Sequence, residues 1–405
     1  MRSLKGKTNL RSLYVGAAFL ISLVVLGATQ NALQKTAAAQ GKSGVQAPRF
    51  EVDPMWPKPL PNHWLLGSTI GVSIDAQDNV WIIHRSSSTL NANERGAELD
   101  PPTGVCCKGA PPVLQFDQAG NLLKSWGGPG QGFEWPESNH GITIDYKGNV
   151  WIGGNGANDG QVLKFTQDGK FLKQFGFGYP NGGSNDPWAF RQVAKIFVDA
   201  KDNEAYISDG YGNHRVAVLD ADTGKFKRYW GAYGNKPDDT NLGRYNPDAP
   251  PAQQFRNPVH CAEVSVDRLV YVCDRVNDRI QVFTPAGKFV KEQWIERRSL
   301  SDGSVWDIAF SKDAQQKYLY LADGRNQKVH ILDRLTLEEL TSFGDGGRQP
   351  GQFFGAHSIA VDSKGNIYIT ETYEGKRVQR FMYKGLGPVT TQNQGVVWPG
   401  AKSSR

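Results

Sequence analysis

The sequence has no long apolar run, no helical periodicity of useful length and little charge. Only 21% of its 405 residues are charged and 39% are hydrophobic, a balance typical of a globular chain and not of a disordered one. Its longest apolar run, Tyr14 to Ala28, is shorter than the roughly 20 residues that a membrane-spanning helix needs. Glycine and tryptophan, by contrast, are abundant, with 46 and 11 residues.

Acidic residues are absent from positions 1–39. That segment instead carries five basic residues, namely Arg2, Lys5, Lys7, Arg11 and Lys35, which supply most of the formal net charge of +6. A basic start, the apolar run and the small residues Ala37 to Ala39 together predict a secretory signal peptide over 1–39 and hence a periplasmic or secreted protein. The alternative is that the segment is retained as a membrane anchor.

The rest of the chain contains a repeat, which decides the fold. An apolar strand ends in Asp, a turn with Gly-Asn or its like follows, a second apolar strand ends in Asp or Glu, and a third strand comes after an Arg-containing turn. The six copies start at Gly71–Asp75, Gly141–Asp145, Ile196–Asp199, Val264–Asp267, Trp306–Phe310 and Ile359–Asp362. Third strands follow as Val113–Phe116, Val162–Phe165, Val216–Leu219, Ile280–Phe283, Val329–Leu332 and Val378–Phe381.

Six short-stranded units that cannot bury both faces alone predict an all-β, six-bladed β-propeller. The last unit lacks an obvious fourth strand, and His63–Gly67 has the aromatic-to-glycine ending of the other fourth strands. We therefore expect this N-terminal segment to close the ring. The predicted organisation is a linker over 40–49, the propeller over 50–384 and a tail over 385–405. Without its first 39 residues the chain carries a charge of only about +1 and no basic stripe, so nucleic acid is not an expected partner.

Three histidines occupy one position of the repeat, just before the innermost strand of the second, fourth and sixth blades: His140, His260 and His357. Innermost strands line the central channel, and alternate blades of a six-fold ring lie about 120° apart. The intervening blades place Gly71, Lys195 and Trp306 near this register. Three neutral imidazoles around an axis predict a catalytic site for zinc or another divalent metal. The simpler alternative is that each histidine caps its strand by hydrogen bonding.

Further candidates follow the second strands, at the same end of the channel. Arg85 and Arg275 could hold a carboxylate with paired hydrogen bonds, or could pair with acids between blades. Tyr211, beside a dication and two guanidinium groups, could act as a general base. Arg325 and Tyr373 occupy similar turns, so position alone does not single out the first three.

At these residues the sequence resembles the lyase domain of the peptidylglycine alpha-amidating enzymes, within the wider NHL-repeat propellers. The most specific segments are Ile82–Arg85, Ile207–Asn213, Phe255–His260 and Cys273–Gln281. The resemblance implies a zinc ion held by His140, His260 and His357, active-site arginines at Arg85 and Arg275, and an active-site tyrosine at Tyr211. It also implies cleavage of the C–N bond of an alpha-hydroxyglycine compound, which releases glyoxylate and an amide.

Two departures from that family stand out. The aspartate with which the family binds a structural calcium is Ser358 here, so calcium is in doubt, and the insertion at about 86–112 in the first blade has no counterpart. The expected substrate is a small carboxylate-bearing or peptide-derived compound, and a hydrolase is the alternative reaction class. A non-catalytic propeller that binds a protein, peptide or glycan is the competing function, and the oligomeric state stays open.

The four cysteines form two neighbouring pairs. Cys261 and Cys273 fall on adjacent antiparallel strands, and Cys106 and Cys107 are consecutive. Disulfides are compatible with an exported protein, but sequence alone leaves open whether either pair is bonded or reduced.

Overall fold

The structure is a computed structural model that describes residues 44–179 and 182–400. The segment predicted as a signal peptide therefore lies outside the described residues. Helical structure in the described ranges is limited to three short 3-10 turns, Ser86–Thr89, Ala232–Gly234 and Arg275–Asn277. None of their helices has the length and apolar character required to cross a bilayer.

Six four-stranded antiparallel sheets form the blades. The first three, from the innermost strand outward, are β3 (Thr69–Ile74), β4 (Val80–His84), β6 (Val113–Phe116) and β7 (Leu122–Trp126); β8 (Asn139–Ile144), β9 (Val150–Gly154), β10 (Gly160–Phe165) and β11 (Phe171–Phe177); and β12 (Val193–Asp199), β13 (Glu204–Asp209), β14 (Arg215–Asp220) and β15 (Phe226–Trp230).

The fourth and fifth blades are β16 (Val259–Val264), β17 (Val270–Asp274), β18 (Arg279–Phe283) and β19 (Phe289–Trp294), and then β20 (Asp307–Phe310), β21 (Tyr318–Asp323), β22 (Lys328–Asp333) and β23 (Glu339–Phe343). The sixth blade is β24 (Ala356–Val361), β25 (Ile367–Glu371), β26 (Arg377–Pro388) and β1 (Gln46–Asp53). Innermost strands contact each other in ring order, from β3 through β24 and back to β3. The predicted six-bladed propeller is confirmed.

The repeated Asp fixes the inner hairpin of the first and second blades. Asp145 accepts hydrogen bonds from the backbone of Lys147 and Asn149 at 2.9 and 2.8 Å, which closes the turn between β8 and β9. Its second oxygen accepts from the indole of Trp151 at 2.8 Å. Asp75 holds the matching turn of the first blade and the indole of Trp81 in the same way. The motif therefore joins a tight turn to the burial of an aromatic side chain between blades.

The ring is closed by an N-terminal strand, but not by the one that we predicted. β1 pairs with β26 and completes the sixth blade. The predicted closing segment instead contributes Trp64–Leu65 (β2) to a two-residue parallel pairing with Lys108–Gly109 (β5) in the blade-1 insertion. β1 begins within the segment expected to be a linker, and it buries Ala47, Phe50 and Val52 at the blade interface. The closing strand is thus the segment with alternating buried side chains, β1. It is not the segment with the aromatic-to-glycine ending, His63–Gly67.

The C-terminal segment lies against the propeller. After β26, Asn393 forms an isolated bridge with Ser342 on the outermost strand of the fifth blade. The backbone nitrogen of Val52 donates to the carbonyl of Val397 at 2.8 Å.

Both cysteine pairs are disulfide-bonded in the structure. One bond joins Cys261 to Cys273 across β16 and β17, and the other joins the consecutive residues Cys106 and Cys107 in the blade-1 insertion.

Candidate metal centre

His140, His260 and His357 meet on the propeller axis. One ring nitrogen of each lies within 4.8 Å of the others, and the three ring centroids are 4.9 to 5.2 Å apart. All three side chains are buried. The three residues that the sequence predicted to converge, which span more than 200 positions of the chain, therefore do lie together.

The register of the intervening blades differs from our expectation. The residues level with the histidines are Ile70, Ala194 and Trp306, so Gly71 and Lys195 lie one position further along their strands. The strand pairing shifts by one residue at Ile70 and Ala194, as it does at or next to each of the three histidines. A one-residue irregularity of this kind is a β-bulge.

Backbone carbonyls of those intervening blades orient two of the histidines. The Nδ1 of His140 lies 2.6 Å from the carbonyl of Ala194, and the Nδ1 of His260 is hydrogen-bonded to the carbonyl of Trp306. A carbonyl can only accept, so each Nδ1 is protonated and each Nε2 presents a lone pair to the axis. This is the tautomer that a metal-binding histidine needs.

Gly141 makes the first of these contacts possible. Its φ is +73°, in the left-handed region, and a Cβ at this position would lie 2.6 Å from the carbonyl oxygen of Ala194. Only glycine allows the backbone of the third blade to approach His140 so closely.

Tyr211 lies beside the two oriented histidines. Its hydroxyl oxygen is 3.1 Å from the Nε2 of His140 and 3.1 Å from the Nε2 of His260. The single phenol proton can satisfy only one of these two lone pairs. A further buried nitrogen, the Nδ1 of His357, has no hydrogen-bond partner among the described residues. This surplus of buried acceptors matches the donor set of a divalent cation of the zinc type.

The surroundings keep the imidazoles neutral. Burial lowers the pKa of His140 to about 3, and the charge of Arg85 acts in the same direction. Burial and then Arg275 hold the pKa of His260 well below its usual value, and burial does the same for His357. The site therefore offers unprotonated ligands throughout the neutral range.

Arg275 is held against the centre by aromatic rings. Its guanidinium stands 4.4 Å from the ring centroid of Trp306, and its Nη1 donates to the hydroxyl of Tyr211 at 3.2 Å. Asp302 lies 3.9 Å from the Nη2 of Arg275. The Nε of Arg275 is buried without a hydrogen-bond partner. One buried donor of Arg275 is therefore left unpaired within the described residues.

Arg85 approaches from the opposite side of the site. Its Nη2 donates to Asn155 at 2.9 Å, its Nε is buried without a hydrogen-bond partner, and burial lowers its pKa. Within the described ranges no carboxylate lies in ion-pair contact with it, so the expected alternative of a salt bridge between blades does not apply to Arg85. Sequence reasoning missed Asn155, whose position depends on the turn after β9.

Buried acid–arginine pairs hold the turns that carry Tyr211 and Arg275. Asp209 accepts from Arg215 at 2.8 Å, and Asp274 accepts from Arg279 at 2.7 Å. Gly210 is also required, because a Cβ there would lie 2.1 Å from the carbonyl of Val259 on the next blade.

Arg325 and Tyr373 occupy turns similar to those of the candidate site residues. Of these two, Tyr373 lies at the mouth of the site. Its ring is 6.2 Å from that of Trp306, and burial and then Asp302 raise its pKa while Arg275 opposes them. Arg325 is exposed on the surface.

The remaining histidines lie outside the cluster. The Nδ1 of His84 accepts from the backbone of Gly67 at 3.0 Å, His214 contacts the carbonyl of Phe255, and His330 contacts Asp323.

A second buried layer lies next along the channel. The ammonium of Lys195 is 2.7 Å from Asp307 and 2.7 Å from Glu263, and these carboxylates raise its pKa although burial opposes them. The hydroxyl of Ser358 donates to Asp307 at 2.7 Å. The serine that replaces the family's calcium-binding aspartate is thus part of this network.

Fold and site together define a six-bladed propeller with an axial three-histidine centre. The chain is 24% identical over 391 residues to NHL repeat-containing protein 3 of Mus musculus, a match that covers 91% of this chain and 94% of that protein. It is 28% identical over 236 residues to peptidyl-glycine alpha-amidating monooxygenase of Mus musculus, covering 57% of this chain and 22% of that protein. The similarity to NHL-repeat proteins and to the amidating enzymes is therefore confirmed.

No protein-family model matches the chain. Among solved structures, a protein of unknown function from Bacteroides thetaiotaomicron VPI-5482 matches with a TM-score of 0.50 at 14% identity, over 84% of this chain and 77% of that one. That match supports the fold alone.

Proposed function

We propose that the protein is an exported, metal-dependent lyase that cleaves the C–N bond of an alpha-hydroxyglycine-like substrate. The observation that carries this proposal is the convergence of three neutral imidazoles, one phenol and two guanidinium groups with free donors at one end of the channel. The similarity to peptidyl-glycine alpha-amidating monooxygenase, which covers 22% of that enzyme, supports C–N bond cleavage as the reaction, because the sequence resembles the lyase domain of the amidating enzymes.

His140, His260 and His357 would hold the metal, and zinc suits three neutral imidazoles best. A zinc ion held there would supply Lewis acidity to the reacting hydroxyl group of a substrate. For His140 and His260, the nitrogen presented to the metal is set by this chain's own backbone, through the carbonyls of Ala194 and Trp306.

Arg85 and Arg275 bind the substrate carboxylate in this proposal. Both guanidinium groups have a buried Nε without a partner, and a carboxylate placed between them would satisfy both. Stacking on Trp306 at 4.4 Å fixes the plane of Arg275, which favours planar recognition of a carboxylate over a single point contact.

Tyr211 moves the proton. It enters the reaction without its own phenol proton, which has passed to solvent. Its oxygen accepts the proton of the substrate hydroxyl as the C–O bond becomes a carbonyl, and the C–N electron pair leaves with the nitrogen. The same oxygen then returns that proton to the nitrogen, so that one carbinolamide gives one amide and one glyoxylate. Arg275, which donates to this oxygen at 3.2 Å, stabilises the negative charge on it during the transfer.

The experiment is glyoxylate release from N-acetyl-alpha-hydroxyglycine by the purified protein. We expect a chelator to abolish release, added zinc to restore it, and His260→Ala to remove it, whereas the exposed His63→Ala control retains it. Absence of release under every metal condition would contradict the proposed reaction.

The proposal places the protein in the periplasm or outside the cell. Two disulfides within the described residues support an oxidising compartment. Cell fractionation with N-terminal sequencing of the mature protein tests this location. It also distinguishes a cleaved signal peptide from a retained membrane anchor.

A further inference from the structure

A cleft opens beside the metal centre. It has a volume of about 880 Å³ and lies between the segment 239–245, before the fourth blade, and the segment 300–302, before the fifth. Arg275 lines its inner end and donates to Tyr211 in the centre. The cleft and the metal centre therefore share one wall.

The walls of this cleft are fixed by internal hydrogen bonds. Arg256 donates to the carbonyl of Leu242 at 3.1 Å and to Asn277 at 3.0 Å. The hydroxyl of Tyr245 donates to the carbonyl of Arg297 at 2.9 Å. A cleft that is held open before binding loses little freedom when a ligand enters, which is the usual condition of a binding site.

The cleft combines apolar surface with surplus positive charge. Leu300 is 55% exposed on its rim, and Leu242 lines it as well. Its carboxylates already have partners, because Asp239 accepts from the backbone of Ser184 at 3.0 Å and Asp302 lies 3.9 Å from Arg275.

Arg244, unlike the carboxylates of the cleft, has no ionic partner among the described residues. It is an exposed cleft residue whose side chain forms no ion pair within residues 44–179 and 182–400. It remains available to a ligand.

The part of the substrate that reacts does not occupy the cleft. In the proposed reaction the carboxylate and hydroxyl of the substrate lie between the arginines and the histidines, so only the acyl group on the nitrogen can extend outward. A volume of about 880 Å³ lies in the range of sites that enclose a ligand much larger than glyoxylate.

We infer that the cleft is the binding subsite for the acyl part of the substrate, and that it selects an apolar chain ending in an anionic group paired with Arg244. This inference rests on the proposed function, which it deepens by naming the substrate class as acidic N-acyl compounds. Leu242 and Leu300 contact the chain, and Arg244 recognises its far end.

The test uses N-acylglycines, which lack the hydroxyl and cannot be cleaved. Two matched series with four, six and eight acyl carbons end either in a methyl group or in a carboxylate. Calorimetry should give affinities that increase with chain length, by up to about fourfold for each buried methylene. At one or more chain lengths, the compound that ends in a carboxylate should bind about two- to fivefold tighter than the methyl-terminated compound of the same length.

Arg244→Ala should abolish the carboxylate preference, and Leu300→Ser should weaken the dependence on chain length. Arg325→Ala, an exposed arginine outside the cleft, is the matched control and should change neither. Equal affinities for the two series, a preference that survives Arg244→Ala, or no binding at any length would overturn the inference. Failure of the proposed reaction is a separate outcome, since it appears as absent glyoxylate release while the binding preference persists.

Discussion

Replacing Lys195 with methionine removes the cation that pairs with two buried carboxylates while keeping the length of the side chain. Lys195 contacts Asp307 and Glu263 at 2.7 Å each, and the Asp307 side chain is 1% exposed. Breaking a buried ion pair by deleting one partner costs about 3–5 kcal/mol, because the remaining charges stay buried. We expect a loss of that size in the free energy of unfolding at pH 8.

The corresponding change in thermal midpoint follows from the size of the fold. An unfolding entropy of about 2.1 cal/mol/K per residue gives roughly 0.7 kcal/mol per degree for a propeller of this length. Lys195→Met should therefore lower Tm by about 4–7 °C. Differential scanning calorimetry of the chelator-treated protein measures this shift, with the exposed Lys201→Met as the matched control.

The loss should also depend on pH. Burial already raises the pKa of Glu263, while Lys195 opposes that rise. Without the lysine, the folded-state pKa of this carboxyl moves further above its unfolded value, so stability is gained at low pH and lost as pH rises through the folded pKa. Lys195→Met should thus be less damaging at pH 5 than at pH 8, and adding Glu263→Gln should recover part of the stability. An unchanged Tm at pH 8, or an equal loss at both pH values, would refute this reasoning.

Three further predictions concern other parts of the molecule. Tyr211→Phe should lower kcat for glyoxylate release by about 100-fold or more while the metal content stays the same, which steady-state kinetics and elemental analysis check together. Replacing both Cys261 and Cys273 with serine should cost about 3 kcal/mol, as measured by urea unfolding, because their disulfide spans a sequence separation of 12. Burial lowers the pKa of His330, but contacts with the carboxylates of Asp323 and Glu339 outweigh burial and raise that pKa to about 9. The resulting stabilisation of roughly 3 kcal/mol is complete below about pH 6.5 and is lost as pH rises through 9. His330→Gln should therefore flatten this part of the pH–stability curve.

The blades could be predicted because their signals are local. Asp145, its turn and Trp151 lie within a few residues, and each hydrogen bond that fixes the hairpin joins members of that short motif. The histidine triad could be predicted because repeat position and six-fold symmetry together place equivalent residues on the axis.

Ring closure could not be predicted in the same way. Gln46–Asp53 pairs with residues 380–388, and no turn between the two strands specifies their register. His63–Gly67 was a plausible substitute because its ending matches the other fourth strands. The histidine register was also off by one in two blades, since a strand irregularity aligns Ala194 and not Lys195 with the histidines.

The cleft and the support of Arg85 were invisible in the sequence for a related reason. Asn155 reaches Arg85 across two blades, and Arg256 fixes a long connection through its backbone carbonyls. Neither contact has a local pattern or a repeat that could indicate it.

The central claim is that His140, His260 and His357 hold one divalent metal ion. Elemental analysis of the mature protein, purified without added metal or chelator, tests it most directly. The account predicts about one zinc-type ion per chain in the wild type and its loss when all three histidines are replaced with alanine, while His63→Ala keeps it. A metal content that is unchanged in the triple variant would contradict the account.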